Sequence, residues 1–151
     1  MIKPRHILLT LSVVVIVAVI IIMALFGDTA KINYPGGTFN VLVADNVIEQ
    51  QKGLSSKELD NLEADGMIFV FNDKAEREFW MNGMKFDLDV VWIADGKIMK
   101  IDKNIKAPEH GEEPDRMRSQ PFEVDMVLEL PAGTVDEVGL LIGHLITVDL
   151  D

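Results

Sequence analysis

The sequence predicts an α+β domain that is β-rich: a mainly antiparallel curled sheet or partial barrel with two short helices, behind one N-terminal transmembrane helix. Three observations lead to this prediction. An uninterrupted apolar run lies near the amino terminus. Residues 66–101 have the composition of four short strands in succession. Because these strands follow one another without intervening helices, antiparallel pairing is favoured.

The apolar run covers residues 7–26, and only Thr10 and Ser12 in it carry polar side chains. As a helix it would be about 30 Å long, the hydrocarbon thickness of a bilayer. Lys3 and Arg5 precede it, so the positive-inside tendency puts the amino terminus in the cytoplasm and the remaining chain outside the plasma (inner) membrane. A cleaved signal peptide is the alternative, but such peptides have shorter apolar cores and small residues at the cleavage site.

We therefore divide the chain into three parts. Residues 1–27 are a cytoplasmic stub and transmembrane anchor, residues 28–37 a tether, and residues 38–151 an extracytoplasmic β-rich domain. The tether ends in the turn signal Pro35-Gly36-Gly37. The domain begins with residues 38–44, which alternate as a half-buried strand does.

A short helix is predicted next, from Val47 to Lys52. Asp45 or Asn46 can cap its first turn, and Gly53 can end it with a positive φ.

Residues 66–71, 77–81, 88–93 and 97–101 are the four central strands. The dipeptide Asp95-Gly96 joins the last two, and both residue types accept the positive φ of a tight hairpin.

The pattern changes after this hairpin. Residues 104–121 contain three prolines and many charges, which predicts a long connection. Residues 122–131 alternate again as a strand, residues 134–141 form a second short helix that Gly143 follows, and residues 145–150 form the last strand.

The charge balance excludes some function classes. Residues 28–151 hold 12 basic and 25 acidic residues, a net charge of −13. We expect no nucleic-acid partner, because phosphate binding depends on Lys and Arg. The chain has no cysteine, which excludes disulfides, thiolate catalysis and cysteine-ligated zinc.

Several segments resemble domain of unknown function family 192, a family of bacteria and archaea. The matching pieces are Glu49, Gly53-Leu54, the strand GMIFVF at residues 66–71, FWM at residues 79–81, Leu88-Asp89, VLELPAG at residues 127–133, and Gly139 with Gly143. They extend over nearly all of residues 38–150. The resemblance implies the fold and frequent export, and it implies no established reaction.

The chain departs from the family pattern near the FWM turn and at two other places. Asn82, Gly83 and Met84 stand where the family usually has Lys-Asn-Thr, and Asp87 stands where it usually has Pro. Gln50 and His144 replace a customary Arg and Asp. The departures imply altered chemistry at the FWM turn if the family has a polar site there.

Trp80 is the leading candidate for ligand binding. Neighbouring strand residues point to opposite faces, so Phe79 or Trp80 can pack in the core while the other stays exposed. An exposed Trp80 beside Arg77, Asn82 and Asp89 would form a platform for a sugar or peptide. The alternative is that both rings pack.

Carboxylates near the FWM turn are candidates for acid–base work. Asp87 and Asp89 share a face of an extended segment, and Glu49 lies on the first helix. In the simpler interpretation, Asp87 is exposed to solvent and Asp89 forms hydrogen bonds with the backbone of a turn.

Metal binding has only weak sequence support. The loop residues His110, Glu112, Glu113 and Asp115 lack the ligand spacing of a calcium or zinc site. Met81 and Met84 could bind Cu(I), although methionines alternating along strands are more simply core residues. We predict no metal and no cofactor.

The function predicted from these features is that of a membrane-anchored extracytoplasmic module that binds an envelope glycan or peptide without catalysis. The alternatives are an envelope hydrolase that uses Asp87, Asp89 or Glu49, and Cu(I) handling through the methionines.

Overall fold

The computed structural model describes residues 14–15 and 28–150, the last without its side chain. Within residues 28–150 there are two short α-helices, α1 (Val47–Lys52) and α2 (Thr134–Val138), with a 3-10 turn at Leu59–Asn61. The strands are β1 (Thr29–Tyr34), β2 (Gly37–Ala44), β3 (Gly66–Ala75), β4 (Glu78–Trp80), β5 (Leu88–Ala94), β6 (Lys97–Ile105), β7 (Arg116–Arg118), β8 (Val124–Pro131) and β9 (Thr147–Leu150).

Seven strands form one sheet in the order β6-β5-β8-β3-β2-β1-β9, while β4 and β7 form a separate two-stranded sheet. The pairings are antiparallel except for β2 with β3, which α1 connects. A parallel pair needs such a crossover connection. The predicted β-rich, mainly antiparallel sheet with two short helices is thus confirmed.

The large sheet curls until its two edges meet. The amide of Ile98, on β6, donates to the carbonyl oxygen of His144 at 3.0 Å, and the amide of Gly143 donates to Ile98 at 2.8 Å. The amide of Ile146 donates to the carbonyl of Gly96 at 2.8 Å. Since residues 143–146 directly precede the opposite edge strand β9, these bonds close one end of a partial barrel.

Alternation along the strands produces two cores. One set of side chains fills the barrel interior, among them Ile68 of β3, Val91 of β5 and Leu128 of β8. The neighbouring residues Phe69, Trp92 and Val127 face outward into a second cluster. The β4–β7 sheet supplies Phe79 and Met117 to this outer cluster, so both faces of the central strands are buried, as their continuous apolar runs predict.

The predicted hairpin between β5 and β6 is present, with φ of 50° at Asp95 and 72° at Gly96. The predicted first helix has the expected limits. Asn46 caps it by accepting a hydrogen bond from the Glu49 amide at 3.1 Å, and Gly53 follows it with φ of 51°.

Residues 29–34, which we expected within a tether, form strand β1 between β2 and β9. Ala30 and Ile32 enter the barrel interior, whereas Thr29 and Lys31 are exposed. This period-two alternation is a strand signal, but it is only six residues long and it adjoins the apolar amino-terminal run.

Three other boundaries differ from the predictions. Helix α2 ends before Gly139, whose φ of 69° stops it well short of Gly143. The long connection contains β7, which pairs with β4 and not with the large sheet. Strand β8 begins at Val124 and not at residue 122, and Val124 faces the outer cluster where the β3–β8 register shifts between Val70 and Ala75.

The predicted transmembrane segment, residues 7–26, lies outside the described residues except for residues 14 and 15. Within the described part of the chain, no helix combines the length and the apolar composition that crossing a bilayer requires.

Asp89 ties three elements together at one end of β5. Its side chain is fully buried. Oδ1 accepts a hydrogen bond from the Asn104 amide on β6 at 2.8 Å, and Oδ2 accepts one from the Val135 amide on α2 at 3.0 Å. The carboxylate thereby satisfies two backbone donors, of which the Val135 amide would otherwise be buried without a partner.

We predict that Asp89→Asn lowers the free energy of unfolding by about 2 kcal/mol or more, because the Asn amide can replace only one of the two acceptor oxygens. Urea denaturation followed by circular dichroism measures this change. Asp87→Asn is the matched control. Asp87 accepts from the Ala107 amide at 2.9 Å and pairs with the exposed Lys106, so a smaller loss is expected. Equal losses for the two variants would contradict a bridging role for Asp89.

Candidate functional site

A pocket of about 750 Å³ opens on the outer face of the large sheet, between α1 and the segment that leads into β4. It combines an apolar wall, two charged residues that are largely buried, and an exposed aromatic ring. Its lining residues include Leu54, Phe69, Phe71, Arg77, Trp80 and Glu129.

Glu129 is the most unusual residue of this pocket. It lies on β8 between Leu128 and Leu130, which enter the barrel interior, so its own side chain points to the outer face. Its register partners on the two adjacent strands are the buried residues Met67 and Val90. The residue is only 5% exposed, and its Oε2 atom has no hydrogen-bond partner.

Burial without a compensating cation raises the pKa of the Glu129 carboxyl to about 8. The group is therefore mainly the neutral acid at neutral pH. A neutral carboxyl group carries an O–H donor, which distinguishes it from the exposed carboxylates elsewhere on this acidic domain.

Gly66 permits the close approach of β3 to Glu129. A Cβ atom at position 66 would lie 2.1 Å from the Glu129 carbonyl oxygen, so no larger residue fits without moving one strand.

Arg77 contributes a second buried polar atom to the pocket. Its Nη2 donates to the carbonyl oxygen and the carboxylate of Asp73, at 2.8 and 2.7 Å, and its guanidinium carbon lies 4.0 Å from the centre of the Phe71 ring. Its Nε atom has no partner. Among the described residues, Glu129 Oε2 and Arg77 Nε are the two buried side-chain polar atoms without a hydrogen bond, and both residues line this pocket.

Trp80 lies at the rim with 49% of its surface exposed. Phe79, its neighbour, turns inward and meets Phe69 edge-on with ring centres 4.8 Å apart. The guanidinium of Arg116 lies 4.8 Å from the Trp80 ring. Of the two alternatives for this aromatic pair, the structure has one ring packed and one exposed.

Ion pairs between β4 and β7 join the strand that carries Trp80 to its neighbour. Glu78 accepts from Arg116 at 2.7 Å and from Arg118 at 2.5 Å, both on the neighbouring strand β7. The bonds to Arg118 and Arg116 lower the pKa of the Glu78 carboxyl, which stays ionised.

The structure thus brings Trp80 and Arg77 together in the pocket and leaves out the other candidates. Asn82 is exposed and accepts from the Ser55 hydroxyl through its carbonyl oxygen at 2.8 Å. Asp87 faces Lys106, whose hydrogen bond, with that of the Ala107 amide, lowers the pKa of the Asp87 carboxyl. Neither Asp89 nor Glu49 lines the pocket.

Sequence reasoning missed Glu129, although a signal was present. A charged residue within the apolar strand VLELP contradicts burial on both faces of that strand. An acid at such a position must be paired, protonated or functional.

The described residues offer no group of three or more His, Asp or Glu side chains placed to hold a metal ion. Met81 and Met84, the candidate copper ligands, are buried in the outer core.

We predict that Glu129→Gln is more stable than the wild type at alkaline pH and that the difference disappears in acid. The wild-type folded state binds a proton that the unfolded state releases, so its unfolding free energy falls from about pH 4.5 to about pH 8. Gln has no proton to release. Urea denaturation of both proteins between about pH 4 and about pH 9 measures the difference, which should reach a few kcal/mol. A constant difference across this range would show that the buried carboxyl does not titrate as inferred.

Comparison with solved structures supports the described fold. A protein from Sinorhizobium meliloti, proposed to be a transcription regulator, is 28% identical with a TM-score of 0.65, over 80% of this chain and 92% of that one. A protein of unknown function from Novosphingobium aromaticivorans is 27% identical with a TM-score of 0.61, over 79% and 83% of the two chains. No protein with a curated description matches.

The family model of DUF192, described as "Uncharacterized ACR", matches residues 30–148. This range begins at the second residue of β1 and ends in the middle of β9, and so agrees with the limits of the partial barrel. The chain belongs to the DUF192 family.

Proposed function

We propose that this protein is a non-enzymatic binding module of the cell envelope whose ligand occupies the pocket between α1 and β4. One observation carries the proposal. The same concave site is lined by an exposed Trp80 and by Glu129 and Arg77, each of which has a buried polar atom without a hydrogen-bond partner. Apolar pockets with a few convergent polar groups are the usual form of a small-molecule site.

The stability cost of Glu129 supports the proposal. An acid buried without a partner destabilises the fold, and an apolar residue would pack better against Met67 and Val90. A ligand that satisfies the acid would offset that cost on binding. Groups with perturbed pKa values in a pocket often belong to functional sites.

The exposed Trp80 ring favours a ligand with a flat apolar face, such as an envelope glycan or peptide. Indole rings bind such faces with little loss of conformational entropy, and the Arg116 guanidinium beside the ring limits its movement.

The structural relative proposed to be a transcription regulator raises DNA binding as another function. Five basic residues on and beside β6 and β7 line one groove, and they do not favour DNA binding because each pairs with a carboxylate. These pairs are Lys100–Asp102, Lys103–Asp136, Lys106–Asp87, Arg116–Glu78 and Arg118–Glu78. Cations already neutralised contribute little to the release of counterions from phosphate.

A second candidate function is acid catalysis in the same pocket. It is favoured by the pKa of about 8 at Glu129, which keeps a proton available at neutral pH. The carboxylates first considered for a hydrolase do not support it, since Asp87, Asp89 and Glu49 lie outside the pocket lining.

We predict that Trp80→Ala weakens binding of envelope glycan fragments or short peptides about tenfold while the fold is kept. A panel of such fragments, measured by isothermal titration calorimetry, tests this. Ile142→Ala is the control, because Ile142 is 65% exposed and lies outside the pocket lining. If no fragment in the panel shows Trp80-dependent binding, the proposed binding function is refuted. If the wild type hydrolyses a fragment and Glu129→Gln does not, the protein is a hydrolase and not a non-enzymatic module.

We also propose that residues 7–26 anchor the module in the inner membrane, with residues 28–151 outside. The support is the length of the apolar segment and the basic residues that precede it.

We predict that the full-length protein stays in the membrane fraction after an alkaline wash and is released by detergent. A variant with Val17→Lys and Ile20→Lys should lose this retention, because each charge costs roughly 3 kcal/mol at the centre of an inserted helix. An alkaline phosphatase fused to the carboxyl terminus, which is active only when it is exported from the cytoplasm, should show activity. Intact wild-type protein recovered from the cytosol would refute the anchor.

A further inference from the structure

Two residues that line the pocket each carry a buried polar atom for which the described part of the protein supplies no hydrogen-bond partner. Nε–H of Arg77 is a donor by its chemistry, and Glu129, when protonated, adds an O–H. Among the described residues no salt bridge includes Glu129, and its Oε2 atom has no hydrogen-bond partner. A ligand that completes this site must therefore bring acceptor atoms.

The other charged groups around the pocket do not supply those acceptors. Glu78 is occupied by the two arginines of β7, and Glu76 Oε2 accepts from Gln120 Nε2 at 2.5 Å. Lys52, on α1, is exposed and provides no acceptor. Asp89 is the adjacent charged residue on β5, which flanks Glu129, and both of its carboxylate oxygens already accept hydrogen bonds from backbone amides.

The remaining wall of the pocket is apolar. Leu54 and Phe69 are almost fully buried and Met84 is 6% exposed, while Phe71 carries the Arg77 guanidinium on its face. A ligand anion would lose its hydration here and face a guanidinium already paired with Asp73. A neutral acceptor beside a small apolar group fits this wall better.

We propose that the pocket recognises an amide carbonyl, whose oxygen accepts a hydrogen bond from the protonated Glu129 side chain while its neighbouring methyl or methylene group packs against the apolar wall. Arg77 Nε–H is the second donor available to the ligand. This inference rests on the proposed binding function and names the chemistry of the ligand. N-acetylated sugars and peptides share that chemistry.

The test compares matched probes by calorimetry. For sugars, the probes are the trimer of N-acetylglucosamine and the glucose trimer cellotriose, which has no amide. For peptides, they are acetyl-alanyl-alanine methylamide and its ester analogue. In the arm that contains the true ligand, the amide probe should bind at least about tenfold more tightly than its partner, since the amide-free probe leaves the buried donors unpaired.

The pH dependence separates the role of Glu129 from simple packing. Amide binding to the wild type should weaken about tenfold per pH unit above about pH 8, because ionisation removes the donor. Binding to Glu129→Gln, which keeps an N–H donor and cannot ionise, should not change with pH in this range. Glu129→Leu should bind at least about tenfold more weakly at every pH, and circular dichroism should show that it folds.

The possible failures are distinguishable. Trp80-dependent binding of cellotriose equal to that of the acetylated trimer would overturn the amide inference and leave the binding module standing. Equal affinities of Glu129→Leu and the wild type for the amide probes would also overturn the amide inference and leave the binding module standing. Binding of no probe, with or without an amide, would overturn both.

Discussion

The structure depends on burial of both faces of β3, β5 and β8. In most small antiparallel sheets one face meets solvent, and alternation of polar with apolar residues separates the two sides. Here the curl of the sheet encloses one face as the barrel interior, and α1 with the β4–β7 sheet covers much of the other. Every residue of these strand centres must therefore be apolar or have a specific reason to be polar.

Glu129 is the residue that breaks this rule inside the pocket, and Asp89 breaks it at the barrel end. The two acids illustrate different solutions to burial. Burial of Asp89 is tolerated because two backbone amides donate hydrogen bonds to its carboxylate oxygens. Glu129 has no such partners, and its charge is removed by a raised pKa. A polar group that the protein leaves unsatisfied in a concave site is the main physical argument for a ligand.

The two-stranded sheet links the core to the proposed recognition surface. Phe79 packs on Phe69 and Trp92 beneath it, while Trp80 on the other face meets Arg116. The same strand thus fixes the outer core and exposes an aromatic ring at the pocket rim. A rigid strand positions a binding side chain more accurately than a loop does.

The sequence alone determined most of the local structure. Period-two patterns identified β2 and β8, and continuous apolar runs identified β3 and β5. The residue types at positions 95–96 identified the hairpin, and the residues around α1 gave its limits. It was less informative for β1 and β7, since six and three residues carry little periodic signal.

The tertiary structure alone decided the site. Trp80 and Arg77 could be selected as candidates from their residue types, but Glu129 is 49 positions from Trp80 in sequence. Only the β3–β8–β5 register and the curl of the sheet put that acid in the pocket. Local patterns specify φ, ψ and the buried face of a strand, whereas contacts between distant strands depend on pairing that no local pattern encodes.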